Sequence, residues 1–278
     1  MHQAARWQKI LAWSVAGLVS FVCLYPYYWM LVSSFRTSKA ILASPLRPWP
    51  ETLSLDVLRE IAMVGGTPLW RYALNSLVIT GASTVLGVVV TALGAYALVR
   101  RPHFWAFRLL RAGFMVTIMY PYMLLVIPVY IVMYKLGLLG SYSGIVLFLA
   151  LGPIQFFLLE QFFRTIPKSV IEAAVIDGAT EVQILFSVVM PMAMPVVATA
   201  SIITFLLNWA QWLPVLVVSR SPDTYTLPVA LMNLNGELGV NFQGIMALSV
   251  LITIPVTLFF LIAQRRVMSG MTAGAVKG

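Results

Sequence analysis

Acidic side chains are rare in this sequence, and three of the nine lie close together in residues 169–191. They are Glu172, Asp177 and Glu181. Ala173 and Ala174 lie between Glu172 and Asp177 in the sequence. Their small side chains let another surface approach these two charges closely. A segment of this kind suits recognition of a partner protein by charge and shape, rather than chemistry on a substrate.

Helix signals divide the same segment into two parts. An S-x-x-E pattern begins at Ser169 and a T-x-x-Q pattern begins at Thr180, and each is typical of a capping box at a helix start. Between them, Asp177 and Gly178 predict a turn, because glycine adopts the left-handed conformation that ends many helices. We therefore expect two short helices joined by a tight bend, lying at a membrane surface.

The remaining reactive residue types offer little chemistry. The two histidines are His2 and His103, and Cys23 is the single cysteine, so the sequence contains no metal-binding motif and no disulfide framework. It also lacks the H-E-x-x-H motif and the Gly-x-x-x-x-Gly-Lys phosphate loop. We expect no enzyme activity, no metal site and no cofactor in this chain.

Composition indicates a polytopic membrane protein. Hydrophobic residues make up 60% of the 278 positions and charged residues 10%, whereas soluble domains average about 25% charged residues. We predict an all-α fold in which residues 1–278 form one transmembrane domain, with residues 164–191 as a loop between spans. The six predicted spans cover about 10–33, 74–99, 112–134, 143–163, 192–218 and 244–264.

The distribution of Lys and Arg predicts the orientation. Placing both termini in the cytoplasm puts 11 of these residues in the inner segments, among them four in the short loop 100–111. The outer segments, 34–73, 135–142 and 219–243, then contain seven, although they are longer in total. Short loops rich in positive charge remain in the cytoplasm, so the segment 169–191 is expected there too.

Polar and aromatic groups in the spans give candidates for a translocation path. Thr204, Asn208 and Gln211 are spaced to share one helix face. Polar groups at membrane depth either line a path or hydrogen-bond to a neighbouring helix, and both interpretations remain open. The candidate path residues are Thr204, Asn208, Gln211, Trp212, Tyr120 and Tyr122.

Two further patterns predict packing between helices. Small residues recur every four positions in the second span, where they allow close helix contact: Ser83, Gly87, Thr91 and Ala95. Near the end of the fourth span, Glu160 precedes Arg164 by four residues, which predicts a structural ion pair.

Residues 172–191 also resemble a known family motif. Glu172-Ala173-Ala174, then Gly178, then a run ending at Pro191 looks like the "EAA" loop of ATP-binding-cassette (ABC) importer permeases. Val188 and Met190 stand where that pattern has Ile and Leu. Residues 166–168 and 177–179 and the tail 270–278 look like the maltose-type, carbohydrate-uptake branch.

The resemblance implies a type I importer permease with a cytoplasmic coupling-helix loop. In that family the loop seats in a groove of an ABC ATPase dimer, which binds ATP and Mg. It also implies a second permease subunit, expected to be a distinct homologue, and an extracytoplasmic solute-binding protein toward which the loop 219–243 would reach. The implied ATPase-coupling residues are Glu172, Ala173, Ala174, Asp177, Gly178 and Pro191.

The leading hypothesis is thus a permease subunit that takes up sugars or oligosaccharides through the cell membrane of a bacterium or archaeon. The alternatives are an importer permease for another solute, such as glycerol phosphate, and an ion-coupled secondary transporter. The last alternative usually requires ionisable residues near mid-membrane and inverted repeats. Here Glu160 alone approaches the bilayer, at its edge, and the sequence shows no internal repeat.

Overall fold

The computed structural model describes residues 2–50, 53–236 and 239–275, and they are predominantly helical, as predicted. In chain order the helices are α1 (His2–Ser34), α2 (Ser38–Ala43), α3 (Asp56–Ala62), α4 (Leu69–Arg100), α5 (Trp105–Met119), α6 (Tyr122–Lys135), α7 (Tyr142–Ala150), α8 (Pro153–Phe163), α9 (Lys168–Ile176), α10 (Glu181–Gln183), α11 (Met190–Trp209), α12 (Leu213–Val218), α13 (Leu227–Met232) and α14 (Phe242–Ala275). Two short antiparallel hairpins pair β1 (Met63–Val64) with β2 (Thr67–Pro68) and β3 (Asn235–Gly236) with β4 (Gly239–Val240).

Several of these helices are long and apolar enough to cross a membrane. Among the described residues they are Arg6–Ser34, Leu69–Arg100, Glu181–Trp209 and Phe242–Ile262. The pair α7 and α8, bent by 48° at a short break, counts as a fifth if taken as one span. These helices lie at five of the six predicted spans, and a total of six spans remains a prediction.

The third predicted span, 112–134, differs from the expected single helix. Here α5 ends at Met119 and α6 begins at Tyr122, so neither helix has the length of a full span. Pro121 causes the break, because its ring cannot donate the backbone hydrogen bond that would continue α5. The sequence predicted one helix over 112–134, whereas the structure ends one helix and starts another.

The chain divides into two compact units, and the smaller one comprises the residues up to 69 together with 230–254. In it, Val57 and Ile61 of α3 pack against Ala247 of α14. The side chain of Gln243 donates to the carbonyl oxygen of Ser34 at 3.2 Å, which ties the start of α14 to the end of α1. This unit is therefore held together by both apolar packing and buried hydrogen bonds.

The larger unit comprises residues 70–229 and those from 255 onward, and it contains two apolar clusters. One cluster joins α4, α8, α9 and the start of α11, and it includes Tyr96, Phe156, Ile171 and Ile184. The other joins α4, α6, α7, α12 and α13 around Ile79 and Ile145. The helix α4 contributes to both clusters, which makes it the central helix of this unit.

The small-residue stripe of α4 lies in the interior of the same unit, as the sequence predicted. Ser83, Thr91 and Ala95 are at most 1% exposed, and Gly87 is buried with them. A Cβ atom at Gly87 would lie 2.0 Å from the carbonyl oxygen of Ala150. Glycine is therefore required where α4 meets the break between α7 and α8.

We predict that Gly87→Ala destabilises the protein by about 1–3 kcal/mol, the usual effect of overpacking a close contact. The measurement is the thermal stability of the detergent-solubilised protein, followed by size-exclusion chromatography. Gly81→Ala is the matched control, because Gly81 lies in the same helix and an added Cβ there meets nothing within 4 Å. Equal stability of the two variants would contradict the close contact.

Candidate functional site

The bend predicted at residues 177–178 is present, and its geometry is that of a complete helix end. Gly178 has φ of +81°, in the left-handed region that favours glycine. Its N–H donates to the carbonyl oxygen of Val175, and the N–H of Ala179 donates to that of Ala174, both at 3.0 Å. This pair of bonds is the Schellman arrangement, which satisfies the last carbonyl groups of a helix. It ends α9 and turns the chain sharply.

The predicted capping box at Ser169 is wrong. The helix α9 begins one residue earlier, at Lys168, and Pro167 occupies the capping position without a side-chain hydrogen bond. Proline suits a helix start because its fixed φ, here −59°, matches the helix and its missing N–H would have had no partner there. Glu172 consequently lies in the second turn of α9, where its side chain is exposed.

The second capping box is confirmed. The Thr180 hydroxyl oxygen accepts the N–H of Gln183 at 3.3 Å, and the Gln183 side chain accepts the N–H of Thr180 at 2.8 Å. The helix that starts here is not short, however, because it continues from Glu181 to Trp209. The expectation of two short helices is therefore wrong for the second one.

A π-helical segment at 184–189 explains how this helix passes Pro191. The N–H of Met190 donates to the carbonyl oxygen of Leu185, five residues back, so the backbone is wider at this point. A proline inside a regular helix clashes with the preceding turn and removes one hydrogen bond. The wider turn immediately before Pro191 accommodates the ring, so the helix is not broken there.

The helix α9 presents two different faces. Ile171 is 8% exposed and belongs to the apolar cluster, and Ala174 packs against the same cluster. On the other side, Glu172, Ala173 and Asp177 are exposed, and Ile176 is 85% exposed. This exposed face combines acidic groups with a large apolar side chain at a rigid bend, which is suited to contact with another protein.

Glu181 connects this segment to the end of α4, a contact that the sequence did not reveal. Its carboxylate accepts two hydrogen bonds from the Arg100 guanidinium, at 2.7 Å from Nη2 and 3.2 Å from Nε. It also accepts a bond from the Tyr96 hydroxyl at 2.8 Å. Three donors from one helix therefore converge on one side chain of the loop.

Glu160 forms a second ionic cluster in the same unit. Its carboxylate is 3% exposed and accepts from Arg164 at 2.8 Å, which confirms the predicted pair. Arg111 of α5 adds a contact at 3.1 Å, which the sequence did not reveal. A buried carboxylate needs such partners, because an unpaired charge in the interior is costly. The cluster ties α5 to α8.

The break between α7 and α8 brings polar side chains together inside the larger unit. Pro153 has no N–H for the carbonyl group of Leu149, and the bend at 151–152 separates the end of α7 from α8. Asn208 donates to the Leu149 carbonyl oxygen at 3.2 Å, and Gln155 donates to that of Ala150 at 2.7 Å. These amides satisfy the last two carbonyl groups of α7.

Thr204 and Ser83 complete this polar group. The Thr204 hydroxyl donates to the side-chain oxygen of Gln155, and Asn208 donates to the Ser83 hydroxyl at 3.0 Å. Thr204 and Asn208 thus lie on one face of α11, as predicted, and link it to α4, α7 and α8. Their hydrogen bonds favour the packing interpretation over a free lining of a path. The sequence signal that could have indicated this cluster is Gln155, a polar amide within the apolar run that follows Pro153.

The other candidate path residues lie apart from this group. Gln211 does not share the helical face, because α11 ends at Trp209 and Gln211 lies in the break before α12. Trp212 packs against the second apolar cluster. Tyr120 caps the end of α5 and is 55% exposed, whereas the Tyr122 side chain lies outside the described part of the structure. A translocation role for these residues remains a prediction.

The architecture defines the fold, which is shared with chains of solved ABC transporters. A bacterial ABC transporter involved in the import of the acidic polysaccharide alginate has a similar fold, with a TM-score of 0.77 and 23% identity, covering 94% of this chain and 97% of that one. The methionine ABC transporter MetNI in an inward-facing conformation is also similar, with a TM-score of 0.58 and 20% identity, covering 78% of this chain and 99% of that one.

Sequence comparison then shows the family. Residues 83–272 match the binding-protein-dependent transport system inner membrane component family, and the chain belongs to it. The diacetylchitobiose uptake system permease protein DasC of Streptomyces coelicolor is 31% identical, over 95% of this chain and 96% of its own length. The trehalose transport system permease protein SugB of Mycobacterium tuberculosis is 34% identical, over 96% and 97%. The trehalose/maltose transport system permease protein MalG of Thermococcus litoralis is 31% identical, over 98% of each.

We predict different effects for the two amides near the end of α11. Asn208→Leu should lower the melting temperature of the solubilised permease, because it leaves the Leu149 carbonyl group without this donor, a loss of about 1–3 kcal/mol. Gln211→Met should leave the melting temperature unchanged, since no hydrogen bond of the Gln211 side chain occurs among the described residues.

Transport assays of the same two variants separate packing from a path role. If Gln211 lines the path, Gln211→Met lowers uptake at normal stability. A wild-type melting temperature together with reduced uptake in Asn208→Leu would contradict the packing role of Asn208 and assign it to the path.

Proposed function

We propose that this chain is the permease subunit of an ATP-driven, binding-protein-dependent importer of sugars or oligosaccharides. Family membership and the likeness in fold to chains of two ABC transporters support the transport role. The relatives named for diacetylchitobiose, trehalose and trehalose/maltose transport support the substrate class. None of the relatives reported above is named for glycerol phosphate or for ion-coupled transport, so the carbohydrate role is preferred.

The observation that carries the proposal is the exposed, Gly178-terminated helix α9 directly before a membrane-length helix. Its exposed face would seat in a groove of a cytoplasmic ABC ATPase dimer, with Ala173 allowing close approach and Glu172 and Asp177 supplying charge. Ala174 would contribute from the other face, where it holds α9 against the apolar cluster. Pro191 would mark where the segment enters the membrane. ATP and Mg would bind to the ATPase, so this chain would work without a cofactor and without enzyme activity of its own.

A second permease subunit, a distinct homologue, would complete the translocation path. The helix α1 supports a second subunit, because none of its residues from Arg6 to Leu31 is buried within the chain, which leaves this surface for lipid or another subunit. Both termini would lie in the cytoplasm of a bacterial or archaeal cell, as the Lys and Arg distribution predicts. A solute-binding protein would deliver the sugar from outside.

We predict that Gly178→Asp abolishes uptake at normal permease abundance and leaves ATP hydrolysis unresponsive to the loaded binding protein. An added Cβ meets nothing within 4 Å in this chain, and the left-handed backbone costs a residue with a side chain only about 1 kcal/mol. Folding should therefore survive, whereas the larger charged side chain should clash with the ATPase groove. The assay is uptake of labelled trehalose, maltose and diacetylchitobiose by the reconstituted complex, with abundance measured in the same membranes.

Gly137→Asp is the matched control. Gly137 also has a left-handed backbone, with φ of +67° and nothing within 4 Å of an added Cβ, but it lies in the loop between α6 and α7. It should retain uptake. Full uptake by Gly178→Asp at normal abundance would reject the coupling assignment, and a parallel fall in abundance and uptake would assign Gly178 to folding alone.

A further inference from the structure

We propose that Tyr96, Arg100 and Glu181 form a latch that makes the inner end of α4 move together with the coupling helix α9. The latch would pass a displacement of α9 to α4, in addition to α8 and α11. This inference rests on the proposed docking of α9 with an ATPase. It assigns a positioning role to three residues that the coupling motif does not include.

The connections of the chain explain why α4 needs such a contact. The helix α9 follows α8 and precedes the helix Glu181–Trp209, so both of these helices are joined to α9 through the backbone. The helix α4 has no such connection, because α5 to α8 lie between it and α9 in the sequence. Any displacement of α9 therefore reaches α4 through side chains alone.

Apolar packing between these elements does not fix their relative position. Tyr96 and Leu98 of α4 belong to the same cluster as Ile171 and Ile184, but hydrophobic contact is non-directional. A cavity of ≈ 420 Å³ also lies here, and Tyr96, Arg100, Phe163, Ile171 and Glu172 are among its lining residues. Packing that leaves this space allows α9 to shift relative to α4.

The hydrogen bonds of the latch are directional, so they fix the relative position that apolar packing leaves open. Arg100 holds the Glu181 carboxylate with two hydrogen bonds, at 2.7 Å and 3.2 Å, and such bidentate pairs fix orientation as well as distance. The Tyr96 hydroxyl adds a third bond at 2.8 Å, and its ring packs edge-on against Phe163 of α8 with the centroids 6.3 Å apart. The three bonds define one position of Glu181 relative to α4.

The charges also match the ends of the helices that carry them. Glu181 is the first residue of α10, where the partial positive charge of a helix start favours an acidic group. Arg100 is the last residue of α4, where the partial negative charge favours a basic group. Each side chain therefore suits its own helix end as well as its partner.

The exposure of the latch argues for a role in coupling rather than in folding. The side chains of Arg100 and Glu181 are 30% and 51% exposed, and exposed ion pairs contribute little to folding stability. Removing the pair should therefore leave the permease folded and abundant. Removing the pair should instead weaken the coupling between movements of α9 and movements of the inner end of α4.

Spin labels test this directly in the complex of permease and ATPase. The labels are placed at position 93 of α4 and position 168 of α9, in a chain with Cys23→Ser; both positions are exposed and neither belongs to the proposed docking face. In the otherwise unchanged protein, the distance between the labels should keep one narrow distribution with and without a non-hydrolysable ATP analogue. In Glu181→Gln and in Arg100→Gln, the distribution should shift or broaden when the analogue binds.

Transport provides the second measurement. Glu181→Gln and Arg100→Gln should each lower uptake roughly two- to fivefold, the range expected for one partly exposed ion pair. The double variant should lose no more than the Glu181→Gln variant, because all three variants remove the ion pair between Arg100 and Glu181. Arg108→Gln is the matched control, since it removes the same charge at an exposed position of α5 where no ion pair occurs among the described residues. It should behave as wild type.

Three outcomes would overturn the latch. They are a distance that changes on nucleotide binding with the latch intact, a Glu181→Gln variant that behaves as wild type in both assays, and additive losses in the double variant. Copurification of the ATPase with the permease distinguishes a failure of the latch from a failure of the proposed docking. An ATPase that does not bind the unaltered permease rejects the docking itself, whereas normal binding with any of the three outcomes rejects the latch alone.

Discussion

The structure depends on the need to satisfy backbone polar groups where no water can reach them. In a membrane, each unpaired N–H or C=O group costs several kcal/mol, so a helix can be interrupted only where other groups take over its hydrogen bonds. At the end of α7, the side chains of Asn208 and Gln155 take over two carbonyl groups. The polar residues of α11 are therefore part of the fold at this break. Gly87 allows α4 to approach the same point.

The proposed coupling site follows the same rule at a helix end. The Schellman arrangement at Gly178 and the capping box at Thr180 satisfy the free groups on both sides of the bend. The bend is thus held by its own backbone, while Ile171 anchors α9 to the apolar cluster. A helix fixed in this way can present Glu172 and Ile176 to a partner without first being ordered, which reduces the cost of binding.

The sequence predicted those features that arise from neighbouring residues. Helical class, the left-handed Gly178, the capping box at Thr180 and the pair of Glu160 with Arg164 all depend on residues within a few positions of each other. The prediction failed at Ser169 because Pro167 starts the helix earlier than the capping pattern suggests. It failed at Gln211 because a regular helix was assumed beyond Trp209, where α11 ends.

Contacts between distant residues could not be predicted from a single sequence. Glu181 and Arg100 are 81 positions apart, and their pairing depends on how α4 packs against the coupling segment. The most direct test of the central claim is a photo-crosslinking side chain placed on either face of α9 in the assembled transporter. At exposed position 176 it should form an adduct with the ATPase, and at buried position 171 it should not. No ATPase adduct from position 176 in an active transporter would contradict the account.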